Sequence, residues 1–214
     1  MKKLILSIVV AASVMTACKS EKNKVEAKEK VEDVQKVDNV IDTYKASVAD
    51  SKISWKGTKP TGAHEGTVNL ASGIFDFENG MVKSGEFVID MKSVTCTDLD
   101  ADNGKTKLED HLKSADFFDI DNHPTAKFVV ASSEMKDGKL HVTGNLTLRG
   151  VTKSITIPAS VSKTDEGANF KSDVFSIDRT DFGVTYSSKK FDAALKDKFI
   201  NDLMELSFDI KAIK

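Results

Sequence analysis

Alternation of apolar and polar side chains is the feature that most restricts how this chain can fold. In the run LHVTGNLTLR, Leu140, Val142, Leu146 and Leu148 share one parity, and polar residues occupy the other. A period of two gives a β-strand one apolar and one polar face. The same pattern recurs in KISW, GTVNL, GIFDF, EFVIDM, AKFVV, ITIPASV, DVFSID and MELSFDIKA. It predicts about eight or nine one-sided strands.

Short turns separate these strands. Asn79-Gly80 and Asp137-Gly138 are dipeptides that accept the positive φ angles of two-residue hairpins, while Arg149-Gly150 and Glu166-Gly167 are typical of looser turns. Successive strands are therefore predicted to be antiparallel neighbours. A sheet with one apolar face must close on itself or pack on a second sheet. We predict an all-β fold, an eight-stranded antiparallel up-and-down barrel, with a Greek-key sandwich as the alternative.

One stretch breaks the alternation and predicts a helix. In KTKLEDHLKSADFF, Thr106 and Glu109 have the spacing of a capping box, and Leu108 and Leu112 lie four residues apart on one helical face. The helix is expected to be short, with two or three turns. It follows the strand that ends near Cys96, so we expect it near one end of the barrel.

The N-terminus has the organisation of an export signal. Lys2 and Lys3 precede an apolar run from Leu4 to Met15, which is too short to span a bilayer. The following Met15-Thr16-Ala17-Cys18 resembles a bacterial lipobox, in which the cysteine is acylated and becomes the mature N-terminus. We therefore predict a signal peptide over 1–17, lipidation at Cys18, and a location in the cell envelope, anchored to a membrane on its periplasmic side or at the cell surface.

The next segment, 18–42, is strongly charged. Between Lys19 and Asp42 there are 6 lysines and 7 acidic residues in 24 positions, with no Gly, Pro or aromatic residue. Such a composition buries too little apolar surface to fold alone, so it predicts a tether, with a short helical stalk left open by valines at every third position. The remaining 43–214 is long enough for one domain with a substantial core. The whole chain has a net charge of −2 and no basic stripe, which argues against a nucleic-acid partner.

The segment DHLKSADFFDIDNHPTAKF raises the question of a metal site. His111 and His123 are separated by acidic residues, but the spacing of a two-histidine zinc motif on a helix is absent. His123 precedes Pro124, which favours an extended backbone and a turn into the strand AKFVV. We expect solvated acids here, among them Asp116, Asp119 and Asp121, and no metal.

Two further motifs match a calcium-binding loop and a catalytic pair only in part. Asp98, Asp100, Asp102 and Glu109 match four positions of a calcium loop, but its sixth position is Asn103 where a glycine is needed. Ser187 and Lys190 have the spacing of a serine–lysine pair without the accompanying motifs of such enzymes. We expect no catalytic residues, no metal and no cofactor.

Three blocks resemble a known family. HLKSADFFDIDNHPTAKF, VTGNLTLRGVTKSITI and FSIDRTDFGVTY, in this order, make residues from about Ser51 to Ile213 similar to the YceI-like family of bacterial envelope proteins. The resemblance implies a lipocalin-like barrel whose apolar interior holds a polyisoprenoid chain as ligand. It implies a carrier or storage protein and not an enzyme, and leaves a homodimer open.

An eight-stranded barrel is wide enough to be filled by its own side chains or to enclose one slender ligand. If it is hollow, inward-facing residues line the cavity. The predicted lining consists of Ile53, Trp55, Phe87, Ile89, Phe128, Val130, Leu146, Leu148 and Phe208. Arg179 and Asp181 are candidates for a structural ion pair or for contact with a ligand head group. A packed barrel that serves as a structural, stress-related or protein-interaction module is the alternative function.

Overall fold

The computed structural model describes residues 21, 23–32, 34 and 42–214. The predicted signal peptide and Cys18 lie outside the described residues. The described chain forms ten strands, one α-helix and two short 3₁₀ helices. In chain order these are β1 (Thr43–Ala46), β2 (Lys52–Lys59), β3 (Gly62–Glu78), β4 (Met81–Cys96), α1 (Lys105–Lys113), β5 (Thr125–Lys136), β6 (Lys139–Leu148), β7 (Val151–Lys163), β8 (Gly167–Ser172), β9 (Phe175–Asp178), the 3₁₀ helices Arg179–Phe182 and Ala193–Leu195, and β10 (Leu203–Ile213).

The strands form a closed antiparallel ring. β2 to β8 are neighbours in chain order, and β10 closes the ring by pairing with β2 on one side and β8 on the other. β1 continues the line of β2 between β10 and β3, and β9 continues the line of β8 along β10. The ring thus has eight strand positions, which confirms the predicted all-β barrel.

Tight hairpins set the register of the sheet. Asn79 and Gly80 have φ angles of 51° and 81°, and Asp137 and Gly138 have 51° and 75°. Both pairs match the positive-φ turns that suit the twist of hairpin strands. The prediction of a looser turn at Arg149-Gly150 is wrong. Arg149 adopts a φ of 49° and its side chain donates 2.7 Å to the carbonyl of Ala115, so tertiary contacts stabilise a third tight turn.

The helix is present, but its predicted capping box is not. Helix α1 begins at Lys105 after Gly104, whose φ is 93°, and no side chain caps it. The carboxylate of Glu109 instead accepts hydrogen bonds from the Thr95 hydroxyl (2.6 Å) and the Cys96 amide (2.9 Å). These bonds tie the helix to the end of β4 and position it over one end of the barrel. No helix in the described part of the chain combines the length and apolar character needed to cross a membrane.

Part of the charged N-terminal segment, which is predicted to be a tether or a short helical stalk, pairs with the barrel. Its residues 23–32 run along the barrel, and bridges join Lys24 to Ser176 of β9 and Lys28 to Ser154 of β7. Residues 25–31 are not helical. The segment forms hydrogen bonds with backbone groups of β7 and β9 that the barrel strands leave unpaired. The composition of the segment does not predict this pairing.

Candidate functional site

An apolar cavity lies inside the barrel. Its volume is about 140 Å³, counted as the space open to the centre of a water molecule. One water needs only about 10–15 Å³ by this measure, so the cavity is far larger than a packing defect. Among its lining residues Ser207 alone is polar. The lining consists of Ile53, Trp55, Val68, Leu70, Phe87, Ile89, Met91, Val94, Phe118, Ala126, Phe128, Leu146, Leu148, Ile155, Ile157, Phe170, Phe175, Ile177, Met204, Leu206, Ser207, Phe208 and Ile210.

Aromatic rings close the cavity toward the β3–β4 hairpin. The ring of Phe170 lies 5.7 Å from Phe87, 5.4 Å from Phe75 and 4.9 Å from Phe208, measured between centroids. Tyr44 stacks on Phe75 at 5.4 Å. Offset and edge-to-face contacts of this kind hold large rings in fixed positions. The barrel is therefore filled by its own side chains at this end, and the cavity lies between these rings and the opposite end.

The other end is held by a buried arginine. Arg179 is 1% exposed, and its guanidinium donates to the carbonyls of Val184 (2.8 Å), Ile200 (3.0 Å) and Asn201 (3.2 Å). Burial lowers the pKa of Arg179, and the nearby carboxylates of Asp202 and Asp178 oppose that effect. A guanidinium whose donors are used by backbone carbonyls fixes the loops around the end of the barrel.

The expected partner of this arginine is different in the structure. The sequence predicts Asp181 as a partner in an ion pair, but the carboxylate that forms a salt bridge with Arg179 is that of Asp202, at 3.4 Å. Asp202 lies just before β10, far from Asp181 along the path of the chain, so only the folded barrel brings it to the guanidinium. The geometry supports a structural role for Arg179 and not a contact with a ligand head group.

The structure places eight of the nine predicted lining residues in the cavity wall. The exception is Val130, which is fully buried but does not line the cavity. It pairs with Gly85 of β4 and Gly144 of β6, and a Cβ on Gly85 would lie 3.2 Å from its side chain. Val130 thus fills the space left by Gly85. That the other eight contact a ligand stays a prediction.

Sequence reasoning missed several lining residues. Ile155 and Ile157 of β7, and Phe175 and Ile177 of β9, border the cavity on either side of one stretch of wall. Their parity within ITIPASV and DVFSID carried the signal, because alternate residues of a barrel strand face inward. Phe118 also lines the cavity, but it lies in the loop after α1, where alternation gives no information.

The histidine-rich segment does not assemble a metal site. The Nε2 atom of His111 lies 3.8 Å from Asp116, and that of His123 lies 4.0 Å from Asp119, so each histidine meets a separate acid. Glu109 of the calcium-like loop likewise accepts hydrogen bonds from Thr95 and Cys96 of β4.

In the part of the chain that the structure describes, one group of three residues has the composition of a metal site. His64 Nδ1 lies 2.9 Å from Asp98, and the Cys96 thiol donates to Asp98 at 3.0 Å. Burial raises the pKa of Cys96, and the hydrogen bond to Asp98 adds to this effect. The Glu65 amide also donates to Asp98, at 2.8 Å. The three side chains satisfy one another, so the cluster is explained as a polar link between β3 and the end of β4.

Together, the closed antiparallel ring and its apolar interior define the class of this protein as a lipocalin-like barrel with an internal cavity. A model of the YceI-like domain matches residues 44–212. The chain belongs to the YceI-like family.

Curated relatives support this assignment. Protein YceI of Escherichia coli O6:H1 is 38% identical over 72 residues, which are 34% of this chain and 38% of that protein. A UPF0312 protein of Vibrio vulnificus is 35% identical over 126 residues, 57% of this chain and 61% of that protein. The matched regions therefore span between about two fifths and three fifths of these relatives' own lengths.

Solved structures show the same fold. BcnA of Burkholderia cenocepacia aligns with a TM-score of 0.60 at 25% identity, covering 77% of this chain and 98% of BcnA. A polyisoprenoid binding domain from Saccharophagus degradans, implicated in plant cell wall breakdown, aligns with a TM-score of 0.58 at 14% identity, over 79% and 97% of the two chains.

Proposed function

We propose that this protein binds a long-chain apolar lipid of the polyisoprenoid class inside its barrel, and that it carries or shields this lipid without catalysing a reaction. The observation that carries the proposal is the cavity lining, which offers Ser207 as its single polar side chain. A wall of this kind favours a hydrocarbon and gives no set of polar groups that could activate one. The polar head of the ligand would remain outside the apolar part of the cavity.

Apolar burial supplies enough free energy for this function. Each methylene transferred from water contributes about 0.8 kcal/mol, so one five-carbon prenyl unit contributes roughly 3–4 kcal/mol before the entropy of binding is subtracted. A few units therefore suffice for stable binding. The structural neighbour from Saccharophagus degradans, a polyisoprenoid binding domain, supports the choice of ligand class.

An envelope location follows from the N-terminal sequence as part of the same proposal. With Cys18 acylated, the barrel would remain within a short distance of a membrane that supplies or receives its ligand. Attachment of this kind raises the frequency of encounter without any new contact between protein and lipid. The partners are thus the lipid ligand and the membrane.

Trp55 provides a direct test, because it is the single tryptophan of the chain and lines the cavity. A prenylated benzoquinone added to the purified protein should quench the Trp55 fluorescence, since quinones quench excited indoles at short range. The same quinone without its prenyl chain is the control and should quench weakly. Native mass spectrometry should show one prenylated quinone bound to each protein.

The packed barrel predicts a different result. If neither quinone quenches beyond the collisional level, and gently purified protein carries no lipid in the mass spectrum, the carrier function is wrong. The interior would then serve only to stabilise the fold, as expected of a structural or interaction module.

A further inference from the structure

The barrel wall is interrupted between β7 and β9. β7 pairs with β8 from Ala159–Ser172 to Lys163–Ala168, and the described residues of β9 pair with β10 but not with β7. Pro158 explains where the pairing stops. Its carbonyl accepts from the Asp173 amide at 3.0 Å, but a proline has no N–H to return the bond. From Val151 to Ile157, one edge of β7 therefore faces a gap in the wall.

Residues 23–28 of the N-terminal segment occupy this gap. The Val25 amide donates to the Ser176 carbonyl at 2.8 Å, and the Ser176 amide donates to the Asn23 carbonyl at 2.9 Å. Four residues further on, Lys28 and Ser154 exchange both backbone hydrogen bonds, at 2.8 and 2.9 Å. The segment thus pairs in parallel with β9 and antiparallel with β7, as an added strand would.

The side chains of this segment alternate like those of a wall strand. Val25 and Ala27 pack against the core, while Lys24, Glu26 and Lys28 are exposed. The cavity residues Phe175 and Ile177 lie on one side of the gap, and Ile155 and Ile157 lie on the other. Val25 and Ala27 thus pack against the core that contains these cavity residues, although neither lines the cavity itself.

The attachment of this strand is weak in comparison with the rest of the wall. Outside the four backbone bonds just described, it is held by the Asn145 side chain, which bonds the Val31 amide (2.9 Å) and carbonyl (2.8 Å). The salt bridge from Lys153 to Glu29 (2.8 Å) ends on an exposed glutamate. The salt bridge from Lys24 to the buried Asp178 is long (3.7 Å), and Lys190 and Thr180 already bind that carboxylate. Exposed ion pairs contribute little, and a short segment with few buried apolar contacts opens at low cost.

Within the described part of the chain, a buried polar group next to the segment also lacks a hydrogen-bond partner. Ser176 is fully buried, and its hydroxyl has no hydrogen-bond partner among the described residues. Such a group is costly to bury and regains a partner when water reaches it. Beside Asn23 the gap continues as a surface groove lined in part by His141, Thr156, Pro158 and Val174. Lifting the segment would join this groove to the cavity.

We propose that residues 23–31 form a detachable strand that gates a lateral entrance to the lipid cavity, between β7 and β9. This inference rests on the proposed lipid-binding function. It adds the route by which the lipid enters the cavity and the segment that controls this entry. Release of the segment opens a slot bordered by apolar residues, through which a chain can enter sideways while its polar head stays in solvent. Rebinding of Val25 and Ala27 closes the wall over the bound chain.

A reversible disulfide across the gap tests the gate. Lys28→Cys and Ser154→Cys place cysteines at antiparallel partners, where Cα separations suit a disulfide. Every variant is made in the full chain with Cys18→Ser, so that buried Cys96 is the one other cysteine. The control pair, Ser160→Cys and Lys171→Cys, crosslinks β7 to β8 at exposed partners that already belong to the continuous sheet and lie outside the groove.

The readout is the rate at which a prenylated benzoquinone quenches Trp55. Oxidation of the Lys28–Ser154 pair should slow quenching by about tenfold or more, because the open state is no longer populated, and reduction should restore the rate. Oxidation of the control pair should leave the rate unchanged. Asn145→Ala, which removes both bonds to Val31, should accelerate quenching. Equal rates in the oxidised and reduced Lys28–Ser154 protein would overturn the gate while leaving lipid binding intact.

Hydrogen exchange gives a second measurement that does not depend on the ligand. The amides of Val25 and Lys28 should exchange at least about tenfold faster than those in the middle of β4 and β5, since local opening exposes them without global unfolding. Protection equal to that of β4 and β5 would show that the segment is a permanent part of the wall. The gate would then be rejected even if no quinone binds any variant.

Discussion

At the scale of single residues, the cavity distinguishes positions that are otherwise alike. Ala126 and Ala159 are both buried alanines, with 4% and 8% exposure, but Ala126 lines the cavity and Ala159 does not. Added volume has a place to go at the first position and none at the second. A matched pair of substitutions can therefore report whether the interior is hollow.

We expect Ala126→Leu to keep the free energy of unfolding within about 1 kcal/mol of the parent, because its new atoms enter empty space. Ala159→Leu should cost about 1–3 kcal/mol, since it forces packed neighbours to move. Urea denaturation of both variants measures the difference. Ala126→Leu should also weaken binding of a prenylated benzoquinone; an equal loss of stability in both variants would contradict a hollow interior.

A buried carboxylate gives the fold a pH dependence. Burial raises the pKa of Asp178, but hydrogen bonds from Lys190 and from the Thr180 hydroxyl and amide outweigh it, and the pKa lies below its ordinary value. A lowered pKa stabilises the fold above the ordinary carboxyl pKa of about 4, and that stabilisation is lost as the pH falls toward the folded-state value.

Asp178→Asn should therefore reduce the free energy of unfolding at pH 7 by about 1–3 kcal/mol, the usual contribution of hydrogen bonds to a buried charge. The difference from the parent should shrink as the pH falls below about 4. Urea titrations between neutral and acidic pH measure it. Asp173→Asn is the control, because Asp173 is exposed and pairs with the exposed Lys139. A difference that stays constant with pH would contradict the assigned role.

At the scale of elements, helix α1 depends on β4 more than on its own ends. Gly104 supplies no capping side chain, and Leu112 is its one buried residue. The carboxylate of Glu109, whose pKa is lowered chiefly by the Thr95 hydroxyl, joins the helix to the strand. A two-turn helix is marginal alone, so tertiary contacts of this kind determine whether it forms.

Glu109→Ala should consequently loosen α1 and leave the Cys96 amide without its acceptor. The expected cost is about 1–2 kcal/mol in the free energy of unfolding, together with faster hydrogen exchange at Cys96. Asp110→Ala changes the next, exposed residue of the same helix and should have little effect. Normal protection of Cys96 in Glu109→Ala would show that the helix is held by other contacts.

At the scale of the whole molecule, the proposed function joins a barrel to a membrane through one short segment. That segment begins next to the predicted lipidation site and then pairs with the wall over the cavity. Movement of the anchored end relative to the barrel would act directly on the proposed gate. Under these two proposals, lipidation would affect both where the protein resides and how often the cavity opens.

Cys18→Ser should prevent lipidation and shift the protein from the membrane fraction to the soluble fraction of fractionated cells. Two acyl chains hold a protein to a bilayer, and this substitution removes the predicted site of their attachment. Cys96→Ser is the control, because Cys96 lies buried in the barrel. Membrane retention of the Cys18→Ser protein would contradict the anchor.

Local rules explain which parts of the fold were predictable. The alternation of side chains and the Asn-Gly and Asp-Gly turns act between neighbours in sequence, so they determined the strands, the tight hairpins and eight of nine wall positions. The YceI-like blocks added the family, and the ligand class that they imply stays a prediction. Val130 lies outside the cavity wall. Alternation tells which face a side chain takes, but not whether a glycine on the next strand, here Gly85, leaves it space to fill.

Features that join distant parts of the chain were decided by the tertiary structure alone. Asp202 reaches Arg179, Glu109 reaches β4, and residues 23–28 pair with β7 and β9, although none of these pairings has a local signature. Each pairing forms because the closed barrel brings together backbone or charged groups that have no partner nearby in the sequence. The sequence by itself determined that the chain closes into a barrel with an apolar interior. The tertiary structure decided that the interior is hollow and where the proposed opening of its wall lies. Both depend on how side chains from separate strands fill a shared volume.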